Sequence, residues 1–221
     1  MSTLPTPRQL ITNLINTLTE SPQTPPPQIQ STNTNPLKHL PPSHRKILST
    51  LHVLLPPGML LQALDLLDRG LVTRVMQTTS ELPSQEPTSE NQRALERQER
   101  NEIYTVSSSQ PQKRFSSSTT QIYHVRLEAW NCTCAAFTFS AFPSYGATIK
   151  PWEHPPHNSN GAEEKMERDG WEFGGLSQDE GVVVCKHLLA CLLVERWGDV
   201  LGGMVKERRV GREEMAGLGG E

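Results

Sequence analysis

Three cysteines and a histidine constrain this chain more than any other feature: Cys132-Thr133-Cys134, a long gap, then Cys185-Lys186-His187. Zinc in a closed structural site takes four sulfur or nitrogen ligands arranged tetrahedrally, and Cys132, Cys134, Cys185 and His187 supply such a set. In an extended segment residues i and i+2 face the same way, so the first two cysteines can aim at one point from the end of a strand. On a continuous helix the same spacing would splay two side chains by roughly 200°. Cys185 is therefore expected just before the first turn of a helix and His187 within it. Three thiolates around a divalent metal leave net negative charge, which a helix N-terminus favours through its free N–H groups. One zinc ion with a structural role is the cofactor this spacing predicts.

Other readings of these residues are weaker. Free cysteine often serves as a small buried hydrophobe. A disulfide scaffold is disfavoured, because no secretory signal peptide is visible and four cysteines are sparse for a stapled mini-fold in 221 residues. A reducing compartment is expected. Cys191 follows His187 by four residues and shares its helix face, so it is the one alternative fourth ligand on geometry. His154 and His157 lie in a polar stretch without an apolar frame. His44 and His52 read as surface or boundary residues of a helical region, and His124 as a solvated strand residue.

The rest of the chain predicts a single α+β domain. At 35% hydrophobic residues and 18 prolines, with a mean hydropathy of -0.50, part of it cannot bury enough apolar surface to offset its ordering entropy. Apolar periodicity predicts helices over 8–19, 44–55 and 59–69, the second capped by Ser43 and the third closed by Gly70. The first helix can dock on a partner or pack on its own domain. Strands are expected over 71–76, 103–106 and 121–127, forming a small antiparallel meander under the helical hairpin. Phe137, Phe139 and Phe142 are expected to pack under the metal site. A closing helix runs from 187 to about 200, with Ala190 small enough for close approach of the strand end, and a solvated helical segment follows over 204–218. Segments 20–36, 77–100, 107–120 and 143–181 read as a linker and as insertions without periodicity. The resulting organisation is an N-terminal helix and linker (1–43), a helical hairpin with strands (44–127), the metal-binding finger (128–200) and a C-terminal helix and tail (201–221).

The pattern C-x-C, gap, C-x-H-x-x-A, filled by Cys132, Cys134, Cys185, His187 and Ala190, resembles the SWIM zinc finger. The run from Leu60 to Gly70, then Ile122-Tyr123-His124-Val125, the paired cysteines with Ala136 to Phe139, and Cys185 to Ala190 follow one another in an order similar to the small SWIM-domain subunits of Shu complexes. Those subunits mediate homologous recombination together with paralogues of the RecA-like recombinase. The resemblance covers roughly 48–217 and implies a helical hairpin on a sheet with a zinc-stapled strand-to-helix finger, a recombinase paralogue as partner, and a nuclear role in DNA repair.

Catalytic signatures are not apparent. The sequence holds no phosphate-binding G-x-x-x-x-G-K-[ST] loop, G-x-S-x-G elbow or H-E-x-x-H helix, and a four-ligand site leaves the metal no open position, so a non-enzymatic protein is expected. A net charge of -3 and a pI near 6.2 argue against gripping a nucleic-acid backbone alone, so DNA is expected to be reached through partners. No apolar run approaches the ~18 residues of a membrane span. The alternatives are a zinc module that binds nucleic acid directly and a substrate-recognition domain of a ubiquitin ligase.

Overall fold

Proline and glycine set the boundaries of the helical layer. The computed structural model of the chain describes residues 5–20, 36–78, 102–109, 121–142, 171–175 and 182–218. The linker expected over 20–36, most of the three expected insertions, and His154 and His157 lie outside the described residues. Helix α1 spans Pro7–Glu20, a 3-10 turn spans Pro36–His39, and helices α2 and α3 span Pro42–Leu54 and Met59–Asp68. Ser43 does not cap α2. Pro41 holds the N-cap position and Pro42 opens the helix, which suits a residue with no N–H to satisfy. Gly58, at φ +74°, turns the chain from α2 into α3.

The end of α3 is a Schellman motif. The Gly70 N–H donates to Leu67 O (2.9 Å) and the Leu71 N–H to Leu66 O (3.0 Å), with Gly70 left-handed at φ +59°. That motif reverses the chain into strand β1, Val72–Gln77. Strands β2 (Glu102–Ser107), β3 (Ile122–Arg126) and β4 (Asn131–Cys132) follow, each antiparallel to its predecessor. Helices α4 (Ala135–Ala141), α5 (Lys186–Arg196) and the single turn α6 (Gly198–Leu201) come next. The chain closes with strand β5 (Lys206–Val210) and helix α7 (Arg212–Gly217).

The fold class is α+β, but the sheet is larger than a three-stranded meander. Its order is β4-β3-β2-β1-β5, and β5 runs parallel to β1. The solvated helix expected over 204–218 is therefore corrected: its first half is an edge strand. Lys206 to Arg209 are all exposed, so no apolar alternation marks the strand. What holds it is the otherwise open hydrogen-bonding edge of β1, together with Val210, which is buried with Val75, Ile103 and Met215 in a small second core.

The main core lies between the helices and the other face of the sheet. Helix α5 is buried from His187 through Val194, on every side, because α3 and α1 cover one flank and the sheet the other. Arg74 on β1 makes a bidentate pair with Glu102 on β2 (2.7–2.9 Å) and approaches Glu195 of α5 (3.5 Å), while the Tyr104 hydroxyl donates to Glu195 at 2.5 Å. Burial pushes the Tyr104 phenol far above its ordinary range, so it remains a donor. His44, expected at a boundary, is 2% exposed and packs against Trp197 with ring centroids 5.5 Å apart. It shares the stripe of Leu51 and Leu55, whose helical spacing places all three on the inner face.

Helix α1 packs on its own domain through Ile15 and Leu18. Residues 171–175, within the expected insertion, bind it as well: Trp171 Nε1 donates to Asn16 Oδ1 (2.7 Å), the Phe173 N–H to Thr12 Oγ1 (3.0 Å) and Arg8 to Gly175 O (2.7 Å). Phe137 is buried, whereas Phe139 and Phe142 are 73% and 76% exposed, which corrects the packing expected for them. The short α4 turns only one side inward, and positions 139 and 142 fall on the other.

A Cβ at Gly70 would meet nothing within 4 Å, so any penalty for a side chain there comes from the backbone conformation alone. Gly70→Ala is expected to lower unfolding stability by about 1 kcal/mol, with Gly70→Asn costing less. Denaturant melts of the two variants, with unchanged m-values, check this.

Candidate metal centre

The site forms where the end of the sheet meets the start of the core helix. Cys132 is the last residue of β4 and pairs with Val125 on β3. The residue between the paired cysteines ties them to the same strand: the Thr133 N–H donates to His124 O (3.1 Å), and Thr133 Oγ1 accepts from the His124 N–H (3.0 Å). His124 thus contributes its backbone here and is not among the clustered side chains; it is a strand residue as expected, but half-buried where a solvated one was expected.

Both halves of the site end in a helix cap. Cys185 is the N-cap of α5, extended at φ -124° and ψ 167°, and its Sγ accepts from the Leu188 N–H at 3.5 Å. His187 lies in the first turn, as the spacing predicts. Cys134 is likewise the N-cap of α4, its Sγ accepting from the Phe137 N–H at 3.3 Å. Two of the three sulfurs therefore take hydrogen bonds from backbone N–H groups that a helix start leaves unpaired, an arrangement that favours thiolate over thiol. The capping role of Cys134 was not foreseen from C-x-C, because a strand reading gives no reason for a helix to follow at once.

The ligand atoms of Cys132, Cys134, Cys185 and His187 all lie within 4.8 Å of one another, and all four residues are buried. A tetrahedron with metal–sulfur bonds of ~2.3 Å has donor–donor edges of about 3.8 Å. The separation between Cys132 Sγ and His187 Nδ1 is 3.8 Å. The donor set and its spacing thus fit one metal ion, and Nδ1 is the imidazole nitrogen that approaches Cys132 Sγ. Cys191 is buried but does not join the cluster, since it lies a full turn deeper in α5 and burial pushes its thiol well above the usual range. Ala190, on the same helix, is fully buried.

A residue that periodicity does not single out couples the two arms. Trp130 stands two positions before Cys132, and its indole N–H donates to Val183 O, two positions before Cys185, at 2.7 Å. Its ring meets Phe173 edge-on at 4.9 Å. Trp130 holds a left-handed backbone at φ 48°, which only a firmly packed side chain sustains. Nearby, Gly175 approaches the turn so closely that a Cβ would come within 2.8 Å of Glu128 O. The segment 171–175 therefore buttresses the loop that aims Cys132.

Without metal the three sulfurs share protons. Hydrogen bonds from Cys132 and Cys185 hold the Cys134 thiol far below its ordinary range. Donating to Cys134 pushes Cys132 far above it. At Cys185 the Cys132 contact favours ionisation, but the bond to Cys134 and burial outweigh it and raise the thiol to about 11.

Neither protein-family models nor characterised proteins gave a match to this chain. Among the described residues no helix is long and apolar enough to cross a membrane.

Two outcomes follow from the geometry. His187→Ala is expected to abolish stoichiometric metal binding, whereas Cys191→Ala retains it, as read by elemental analysis of the purified variants. Because thiolate is the binding form and the Cys132 and Cys185 thiols are held above their ordinary range, metal loading should release protons. Apparent affinity should then fall as pH is lowered, measured by competition with a chelator whose own protonation is corrected for.

Proposed function

We propose that Cys132, Cys134, Cys185 and His187 hold one structural zinc ion, and that the chain is a non-enzymatic adaptor. The observation that carries this reading is the convergence of three buried cysteine sulfurs and one imidazole within 4.8 Å of one another, with two of the sulfurs at helix caps. Thiolate-rich tetrahedral sites favour zinc among the common divalent ions. Zinc would supply a cross-link between the end of the sheet and the start of α5, and four protein ligands leave no position for substrate.

Resemblance to the SWIM-domain subunits of Shu complexes supports the finer reading. In it, the chain binds a recombinase paralogue and promotes recombinase filament assembly in homologous recombination and DNA repair, in the nucleus, with DNA reached through that partner. Apolar side chains left on the surface are consistent with a protein partner: Val53 and Leu61 of the helical layer are 81% and 61% exposed, beside Phe139 and Phe142 on α4. The zinc would act by holding that surface in shape.

Cys132→Ser is expected to abolish co-purification of the paralogue and to sensitise cells to replication-blocking damage, while replacing Lys206, Arg208 and Arg209 together with alanine leaves both largely intact. Metal-site variants that still capture the paralogue at wild-type levels would overturn the adaptor reading. Loss of function in the triple variant alone would favour direct nucleic-acid binding.

A further inference from the structure

We propose that Tyr123 is the positioning residue of the metal centre, fixing the plane of the His187 imidazole, whose Nδ1 lies 3.8 Å from Cys132 Sγ. The proposal rests on the metal reading above and adds to it a residue outside the ligand set. Helix α5 fixes the backbone of His187, but the ring still turns about a broad terminal torsion, so the helix alone does not set the plane of the imidazole. In most metal sites the ring is oriented by a hydrogen bond to its second nitrogen. Here the face of the ring is held. The Tyr123 and His187 rings lie stacked, with centroids 4.5 Å apart and planes inclined by 27°. A flat neighbour at that distance blocks rotation of the imidazole out of its plane, and an offset stack of this kind is itself attractive.

The placement of Tyr123 gives the contact its reach. Tyr123 and Val125 lie two apart on β3 and share a face of the sheet. Val125 pairs with Cys132 on one side, and Tyr123 pairs with Val106 of β2 on the other. One strand therefore sets the position of a sulfur ligand directly and the orientation of the nitrogen ligand through a ring. Both thus depend on the register of β3. His187 is 4% exposed, so little else competes for its orientation from solvent.

The test uses the full chain loaded with cobalt(II), whose visible absorption reports a tetrahedral sulfur–nitrogen donor set, and follows metal transfer to excess chelator. Tyr123→Phe keeps the flat face and is expected to give the wild-type spectrum and release rate. Tyr123→Leu fills much of the space without a flat face and is expected to shift the cobalt bands and speed release about tenfold, the low end for loss of a group that orients a ligand. Tyr123→Met, unbranched and adaptable, gives the same comparison if the leucine variant does not fold. Val75→Ala, in the separate core near β5, serves as a control for general destabilisation. Wild-type release and spectrum in the leucine or methionine variant would overturn the positioning role, as would equal acceleration by Val75→Ala or Tyr123→Phe. A wild-type chain that takes up no cobalt would instead overturn the metal reading, and this proposal with it.

Discussion

Four donor atoms within 4.8 Å of one another, contributed by two segments far apart in sequence, set the condition that the rest of the fold meets. A strand end and a helix start must arrive at one point with errors of a few tenths of an ångström, although the loop between them tolerates almost any length because closure entropy grows only logarithmically. Precision therefore comes from the elements that carry the ligands. Helix α5 is gripped on all sides, and β4, only two residues long, is fixed through β3.

Around that condition the polar groups near the site do mechanical work. Thr133 binds both backbone groups of His124, Trp130 spans from one ligand arm to the other, and Tyr123 lies against the imidazole. Away from the site, the Arg74, Glu102, Tyr104 and Glu195 group joins the sheet to the far end of α5. The helix is thus tied to the sheet at both ends: by ionic and hydroxyl contacts at its C-terminal end, and by the candidate metal ligands at its start.

The surface divides along similar lines. The sheet edge at β5 is covered with Lys206, Glu207, Arg208 and Arg209, a charged border that discourages pairing with another strand. The helical side and α4 instead leave Val53, Leu61, Phe139 and Phe142 in water.

The sequence by itself determined the parts governed by local pattern. Helical periodicity located α1, α2 and α3; alternation located β3; and the i, i+2 spacing at 132/134 and 185/187 required a strand end and a helix start at the candidate site. Even His44 was legible in principle, since its spacing to Leu51 and Leu55 is that of a buried stripe. Tertiary structure alone decided what depends on a distant partner. Strand β5 exists because β1 offers an unpaired edge, and no property of Lys206 to Arg209 announces it. Phe137 and Phe139 are chemically alike, yet only the orientation of α4 buries one and exposes the other. Trp130 and Tyr123 gain their roles from Val183 and His187, more than fifty residues away, because a hydrogen bond or a ring stack needs two groups, and the sequence around one of them carries no trace of where the other will lie.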